Sequence, residues 1–191
     1  MESNVNFDYL KYLSASSDKK AILNELMNAY GKDVWNYAYS ITRKWDQADD
    51  ITQEVFIKVY RNLSTFRSES SVKTWLLAIT RNMTLDYRKS AFYRKVTLVD
   101  FIASRGEYEQ AAASTEHEVL SKMALNEMWD MVLKLPVKYR EVLILYAHHQ
   151  LSMKEMAEVL GVSEGTIKSR LFHARGKISK MKESRSLGSD G

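Results

Sequence analysis

The chain is 191 residues long, 45% apolar and carries a formal net charge of +4, enough for one large or two small domains and too apolar for wholesale disorder. Cysteine is absent, which excludes disulfides, thiolate metal sites and cysteine nucleophiles. A single proline, seven glycines and long runs of helix-forming residues point to an all-α fold, and no window alternates well enough to form a sheet.

In chain order, residues 21–30 and 34–45 form an amphipathic pair broken near Gly31. Asp46 opens a third helix with Asp49 in its first turn; Ile51, Val55, Val59 and Leu63 line one side, with Phe56 and Tyr60 beside them. Residues 62–71 are polar and turn-rich, a loop. A fourth helix runs from about 71 to 93 with Val72, Trp75, Leu76, Ile79 and Met83 as its stripe, so Trp75 reads as core. Between 94 and 114 periodicity dissolves, as expected of a flexible interdomain linker. Thr115 and Glu118 have capping-box spacing ahead of Leu120, Ala124, Met128, Met131 and Leu135 on one face. Pro136 suits the first turn of the next helix, whose core face would be Tyr139, Val142, Leu143 and Tyr146.

Residues 152–176 are the most informative. Ser152 and Glu155 have capping-box spacing, Gly161-Val162-Ser163 forms a short turn, and Ser163 can cap a second helix starting at Glu164. Met153, Met156, Ala157 and Leu160 share a face, as do Ile167, Leu171, Ala174 and Ile178. This is the pattern of a helix-turn-helix. Thr166, Lys168, Ser169, Phe172 and His173 are left pointing outward, with Arg170 and Arg175 on the flanks. Such a helix suits a DNA major groove, its face reading bases and its flanks holding phosphates. From Lys168 to Arg185 seven basic residues face one acid, Glu183, a stripe fit for a polyanion. The division expected is therefore a first domain at 1–93, a linker at 94–114, a four-helix domain at 115–182 and a disordered tail at 183–191. Residues 187–191 read as a remnant of cloning.

Catalysis finds little support. The histidines at 117, 148, 149 and 173 show no metal-ligand spacing, and adjacent His148 and His149 cannot share a helix face. No phosphate-cradling loop or nucleophile constellation stands out. No cofactor, metal or small-molecule substrate is expected. The longest apolar run, 142–147, is too short to cross a membrane, and the N-terminus lacks the pattern of a signal peptide. The chain thus reads as cytoplasmic.

Several motifs in order carry a family resemblance: Asp49-Asp50-Ile51-Thr52-Gln53-Glu54-Val55-Phe56, Leu63-Ser64-Thr65-Phe66, Lys73-Thr74-Trp75-Leu76, Arg81-Asn82 and Asp86-Tyr87-Arg88-Lys89. Leu135-Pro136-Val137-Lys138-Tyr139-Arg140-Glu141-Val142 and Gly165-Thr166-Ile167-Lys168-Ser169-Arg170 continue the series. Over residues 20–182 the chain resembles the extracytoplasmic-function sigma factors of bacterial RNA polymerase. The resemblance implies that Asp49, Asp50, Gln53, Glu54 and Lys58 bind core polymerase, an acidic, amide-bearing face suited to an arginine-rich helix. It implies that Arg67, Ser68, Glu69, Ser70, Ser71 and Lys73 line a base pocket for the melted −10 element, with Asn82, Asp86, Arg88 and Lys89 alongside. Asp86 equally suits an internal cap or a salt bridge to Arg81 or Arg88. The −35 reader would be Ser163, Thr166, Lys168, Ser169, Arg170, Phe172, His173 and Arg175. The family often has arginine at position 173, so His173 either reads a base or only touches phosphate. Arg140 either contacts phosphate or makes a surface salt bridge. The implied partners are core RNA polymerase, promoter DNA and an anti-sigma factor, often membrane-bound, with residues 96–102 as a guess at its interface. The rival reading is a conventional dimeric helix-turn-helix regulator that does not replace sigma.

Overall fold

The computed structural model describes residues 18–66, 69–99 and 128–186, and the side chains of all of these except 91–99 and 185–186. Its elements are α1 (Lys19–Thr42), α2 (Trp45–Asn62), a 3₁₀ turn (Leu63–Thr65), α3 (Val72–Val99), a helical stretch α4 at 128–134, α5 (Val137–Ala147), α6 (Met153–Leu160) and α7 (Glu164–Ser186). Among the described residues there is no strand, as the composition predicts.

Asp18 starts α1 by accepting from the backbone N–H groups of Lys20 and Ala21. The predicted break at Gly31 does not occur; α1 runs through it. A glycine there costs about 1 kcal/mol relative to alanine, and the helix tolerates it because Leu26, Val34 and Ala38, on either side of it, are fully buried. The turn comes instead at Arg43, which takes a left-handed conformation with φ 60° and donates its N–H to the Tyr39 carbonyl. Trp45 therefore begins α2 rather than ending the preceding helix. Helix α3 starts where predicted, with the Ser71 hydroxyl accepting from the Thr74 N–H, but continues to Val99, six residues into the expected linker at 94–114.

The predicted stripes of α2 and α3 pack with α1 into a first core of Leu26, Val34, Ile51, Val55, Val59, Leu63, Phe66, Val72 and Leu76. Trp75 packs against it, its ring 5.0 Å from that of Phe66, in keeping with a core role. A second core joins Leu135, Val142, Leu145, Met156, Leu160, Ile167 and Leu171 from the C-terminal helices, and it also takes in Tyr37 and Ile41 of α1 and Leu77 of α3. Helices α1 and α3 thus bury two faces each, and the two halves of the chain meet along a packed seam.

Two further expectations change. Helix α5 was expected to bury Tyr139, Val142, Leu143 and Tyr146, but it buries Arg140, Glu141, Val142, Ile144 and Leu145 and leaves Tyr146 exposed. The reason is that α5 lies between α7 on one side and α1 on the other, whereas a wheel reading assumes one buried face. Pro136 sits at the N-cap rather than inside the first turn. At the other end α7 continues as helix through 183–186, the first residues of the tail that the sequence predicts at 183–191. The capping box expected at Thr115 and Glu118 and residues 100–114 of the linker lie outside the described residues. Of the apolar patch 96–102, only 96–99 are described, as helical backbone.

Candidate nucleic-acid and polymerase interface

The helix-turn-helix forms with the caps its residues dictate. Ser152 accepts from the Glu155 N–H at 3.2 Å while Glu155 accepts from the Ser152 N–H at 2.9 Å, closing the capping box. Gly161 ends α6 with φ 61°, a conformation that disfavours any side chain, and bonds back to Ala157 and Glu158. The Ser163 hydroxyl accepts from the Thr166 N–H at 3.2 Å and opens α7.

With Ile167, Leu171 and Ala174 buried, the opposite face of α7 is free. Lys168, Ser169, Phe172, His173 and Arg175 are exposed, and Thr166 and Arg170 half-buried at its edges. Phe172 is 76% exposed, an unusual position for a large apolar ring unless something covers it. The flanks already interact with α5: Arg175 lies over the Tyr146 ring at 5.1 Å, and the His173 ring is 6.1 Å from that of Tyr139. The face can donate hydrogen bonds to base edges and press one aromatic ring into a groove.

Arg140 belongs elsewhere. Its residue is only 5% exposed, and its guanidinium donates to the carbonyls of Ser40 at 2.7 Å and Leu135 at 2.8 Å. Ser40 lies in the last turn of α1, where carbonyls lack helical partners, so a cation there is favoured by both hydrogen bonding and the helix dipole. Burial, and the charges of Arg43 and Arg88, lower its pKa to about 10, against the pull of Glu141. Neither expected role, phosphate contact or surface salt bridge, fits a buried side chain; Arg140 is an internal tie between α5 and α1.

Other polar ties cross the same seam. Arg81 donates to Glu141 at 2.8 Å, with the glutamate side chain 4% exposed. Tyr37 is fully buried nearby, and burial together with Glu141 keeps its phenol firmly protonated. Thr74 and Ser71 donate to Glu155 at 3.0 and 3.4 Å. Burial pushes the Glu155 carboxyl upward, but the hydrogen bonds from Ser152, Thr74 and Ser71 outweigh this and hold it below the usual glutamate value. For the buried Arg81–Glu141 pair the cost of desolvating both charges offsets much of their attraction.

The residues expected at the −10 strand divide accordingly. Glu69, Asn82, Asp86, Arg88 and Lys89 are exposed, and Ser70 is half-buried. Ser71 is engaged as the α3 cap and with Glu155, and Lys73 pairs with Asp33 at 3.1 Å. Asp86 pairs with Lys89 at 3.7 Å rather than with Arg81 or Arg88. Arg67 and Ser68 lie outside the described residues.

On α2, Asp49, Asp50, Gln53, Glu54 and Lys58 are all exposed. Asp49 is not free, since it accepts from the Trp35 indole N–H at 2.6 Å. Beside this face lies an apolar cleft lined by Met27, Trp35, Trp45, Gln53 and Phe56.

The chain matches the family Sigma-70 region 2 over residues 26–91 and the family Sigma-70, region 4 over residues 125–178. It is 31% identical to the ECF RNA polymerase sigma factor SigM of Bacillus subtilis, over 82% of this chain and 92% of that protein. It is equally 31% identical to the ECF sigma factor SigW of the same organism, over 82% and 86%. The chain belongs to the ECF RNA polymerase sigma factors. A solved structure of the sigma factor RpoE from Bartonella quintana, in complex with the anti-sigma factor NepR, superimposes with a TM-score of 0.63 at 25% identity, covering 86% of this sigma factor and 98% of that chain. The sigma factor CnrH, solved with the cytosolic domain of CnrY, shares the fold with a TM-score of 0.63.

This sigma factor also carries an exposed aromatic and apolar patch that none of its apolar stripes indicates. Trp45 is 64% exposed, Ile57 50% and Met27 46%. Trp35 stacks on Tyr39 with centroids 5.2 Å apart and meets Trp45 at 4.5 Å. Ile57 was visible as an apolar residue off the α2 stripe. Trp45 stands exposed because it begins α2, after the turn at Arg43, rather than ending the preceding helix.

Proposed function

We propose that this chain directs core RNA polymerase to promoters by reading a −35 duplex with α7 and holding a melted −10 strand with α3 and the loop before it. The observation that carries this is the outward face of α7, where Lys168, Ser169, His173 and the 76%-exposed Phe172 stand on a fully capped helix-turn-helix. Lysine donates to guanine acceptors, and the phenyl ring suits a thymine methyl. On α3, Asn82, Arg88 and Lys89 supply the polar and cationic groups that single-stranded DNA requires, with Arg67, Ser68, Glu69 and Ser70 as the neighbouring base pocket. The acidic face of α2, with the exposed Trp45 and Ile57 at its margin, is the docking surface for core polymerase. The first domain ends near the end of α3, the second begins before α4, and the protein acts in the cytoplasm without catalysis of its own.

The packed arrangement is the restrained state. Ser71 and Lys73, both expected at the −10 strand, are tied to Glu155 and Asp33, and Arg140 holds the seam shut, so full engagement of the −10 strand on polymerase requires the seam to open. An anti-sigma factor, the kind of partner with which the related RpoE was solved, stabilises this state, and where that inhibitor is membrane-bound it holds the sigma factor at the membrane. Mixing the purified chain with bacterial core polymerase and genomic DNA fragments, then sequencing transcripts, tests the reading. Initiation at defined promoters, absent with core alone, is expected. Sequence-specific DNA binding by the free chain with no effect on core polymerase would instead establish an ordinary transcriptional regulator.

A further inference from the structure

Adjacent histidines on a helix diverge, but His148 and His149 are not on one. Helix α5 ends at Ala147, and in the turn that follows, which continues through Gln150 at φ 57°, the two rings lie with centroids 4.8 Å apart. Across the seam Asp33 of α1 faces them. One ligand atom from each of Asp33, His148 and His149 lies within 4.8 Å of the other two.

His149 makes the cluster unusual. It is 2% exposed, and neither ring nitrogen has a hydrogen-bond partner. Its Nδ1 lies 3.4 Å from Asp33 Oδ1, close enough for attraction but without the alignment of a hydrogen bond. A buried imidazole with both nitrogens unpaired needs an explanation. His148 is exposed, and its Nε2 lies 3.3 Å from the Asn36 side-chain nitrogen. The other Asp33 oxygen is held by Lys73 at 3.1 Å, which orients the carboxylate although the ammonium opposes an added cation.

We propose that Asp33, His148 and His149 form a binding site for one divalent transition-metal ion of the zinc class, bridging the two halves of the chain. Two imidazoles and one carboxylate favour zinc, cobalt, nickel or copper over magnesium or calcium, which prefer all-oxygen shells. Metal–ligand bonds near 2.0–2.2 Å require donor atoms to approach to roughly 3.4 Å of one another, a contraction that the exposed His148 can supply by rotating. The fourth position is open to water or to the Asn36 carboxamide oxygen. Because α1 lies on one side and the α5–α6 turn on the other, the ion clips the seam shut and favours the packed state.

Titration of the metal-free full chain with Co²⁺, followed by visible absorption and by competition with Zn²⁺, tests the site without polymerase or DNA. Binding of one equivalent at micromolar affinity, with a four-coordinate spectrum and no competition from Mg²⁺, is expected. H148A should weaken binding at least tenfold while leaving the circular dichroism of the metal-free protein unchanged, since the residue is exposed and outside both cores. D33N should do the same to affinity. A pair of labels on α1 and α6 should report a seam that opens less often when Zn²⁺ is added. Absence of micromolar binding, unchanged affinity in H148A, or labels indifferent to Zn²⁺ would overturn the proposal.

Discussion

Helices α5 and α7 are neighbours in one domain and differ in almost every respect that matters for function. Helix α7 buries one narrow face, Ile167, Leu171 and Ala174, and leaves Lys168, Ser169, Phe172, His173 and Arg175 exposed. Helix α5 buries a much wider arc, including charged Arg140 and Glu141, because the first domain covers a side that its own domain does not. One helix keeps a surface for a partner outside the chain, while the other is used up inside it. Charge alone does not separate them, since both carry arginine and lysine; what separates them is where the nearest helix lies.

That contrast can be tested by substitution. The largest stability effect should come from Leu145→Ala on α5, a fully buried side chain at the second core; about 2–5 kcal/mol of destabilisation is expected, read as a lower denaturant midpoint. On α7, Phe172→Ala and Lys168→Ala should leave melting unchanged and weaken −35 binding by about 1–3 kcal/mol each, measured by fluorescence anisotropy with duplex DNA. Equal loss of stability in these variants would mean that the face is packed rather than free. Arg140→Ala should do the reverse. It leaves the Ser40 and Leu135 carbonyls without their donor, at about 1–3 kcal/mol of folding stability, and leaves the affinity of α7 for −35 duplex unchanged. If the variant instead lost DNA affinity as Lys168→Ala does, Arg140 would contact phosphate after all.

Smaller effects refine the picture. Gly161→Ala should cost about 1 kcal/mol, because φ 61° is strained for any side chain even though the space is open. Glu155, whose folded pKa lies below its ordinary value, contributes stability that is present above the ordinary glutamate range and lost as pH falls through the folded pKa. The difference in melting temperature between the native chain and Glu155→Gln should therefore be largest at neutral pH and vanish in acid. A difference that persists in acid would show that the carboxylate charge is not what ties Ser152, Thr74 and Ser71 together.

Local chemistry was sufficient for some of these features. The Ser152–Glu155 capping box, the Gly161 turn and the Ser163 cap form as their spacing predicts, because a helix terminus has few ways to satisfy its free N–H groups and each solution uses particular residues. The stripes of α2, α3 and α7 were legible for a similar reason: each gathers enough apolar residues at helical spacing to define an inward side. Gly31 misled because propensity is a weak prior that packing on both flanks overrides. Trp45 misled because a turn at non-glycine Arg43 carries little signal in the sequence.

The all-α architecture, the helix-turn-helix and the outward face of α7 were written in the order of residues alone, since all three arise from contacts within a few turns of the chain. Packing between distant helices was needed to decide that Arg140 is internal, that α5 is covered on both sides, that Ser71 and Lys73 have partners, and that Asp33 meets His148 and His149. Those pairings join residues tens of positions apart or more. No helical period encodes them, because they depend on which faces α1 and α3 have left over once the first core is filled.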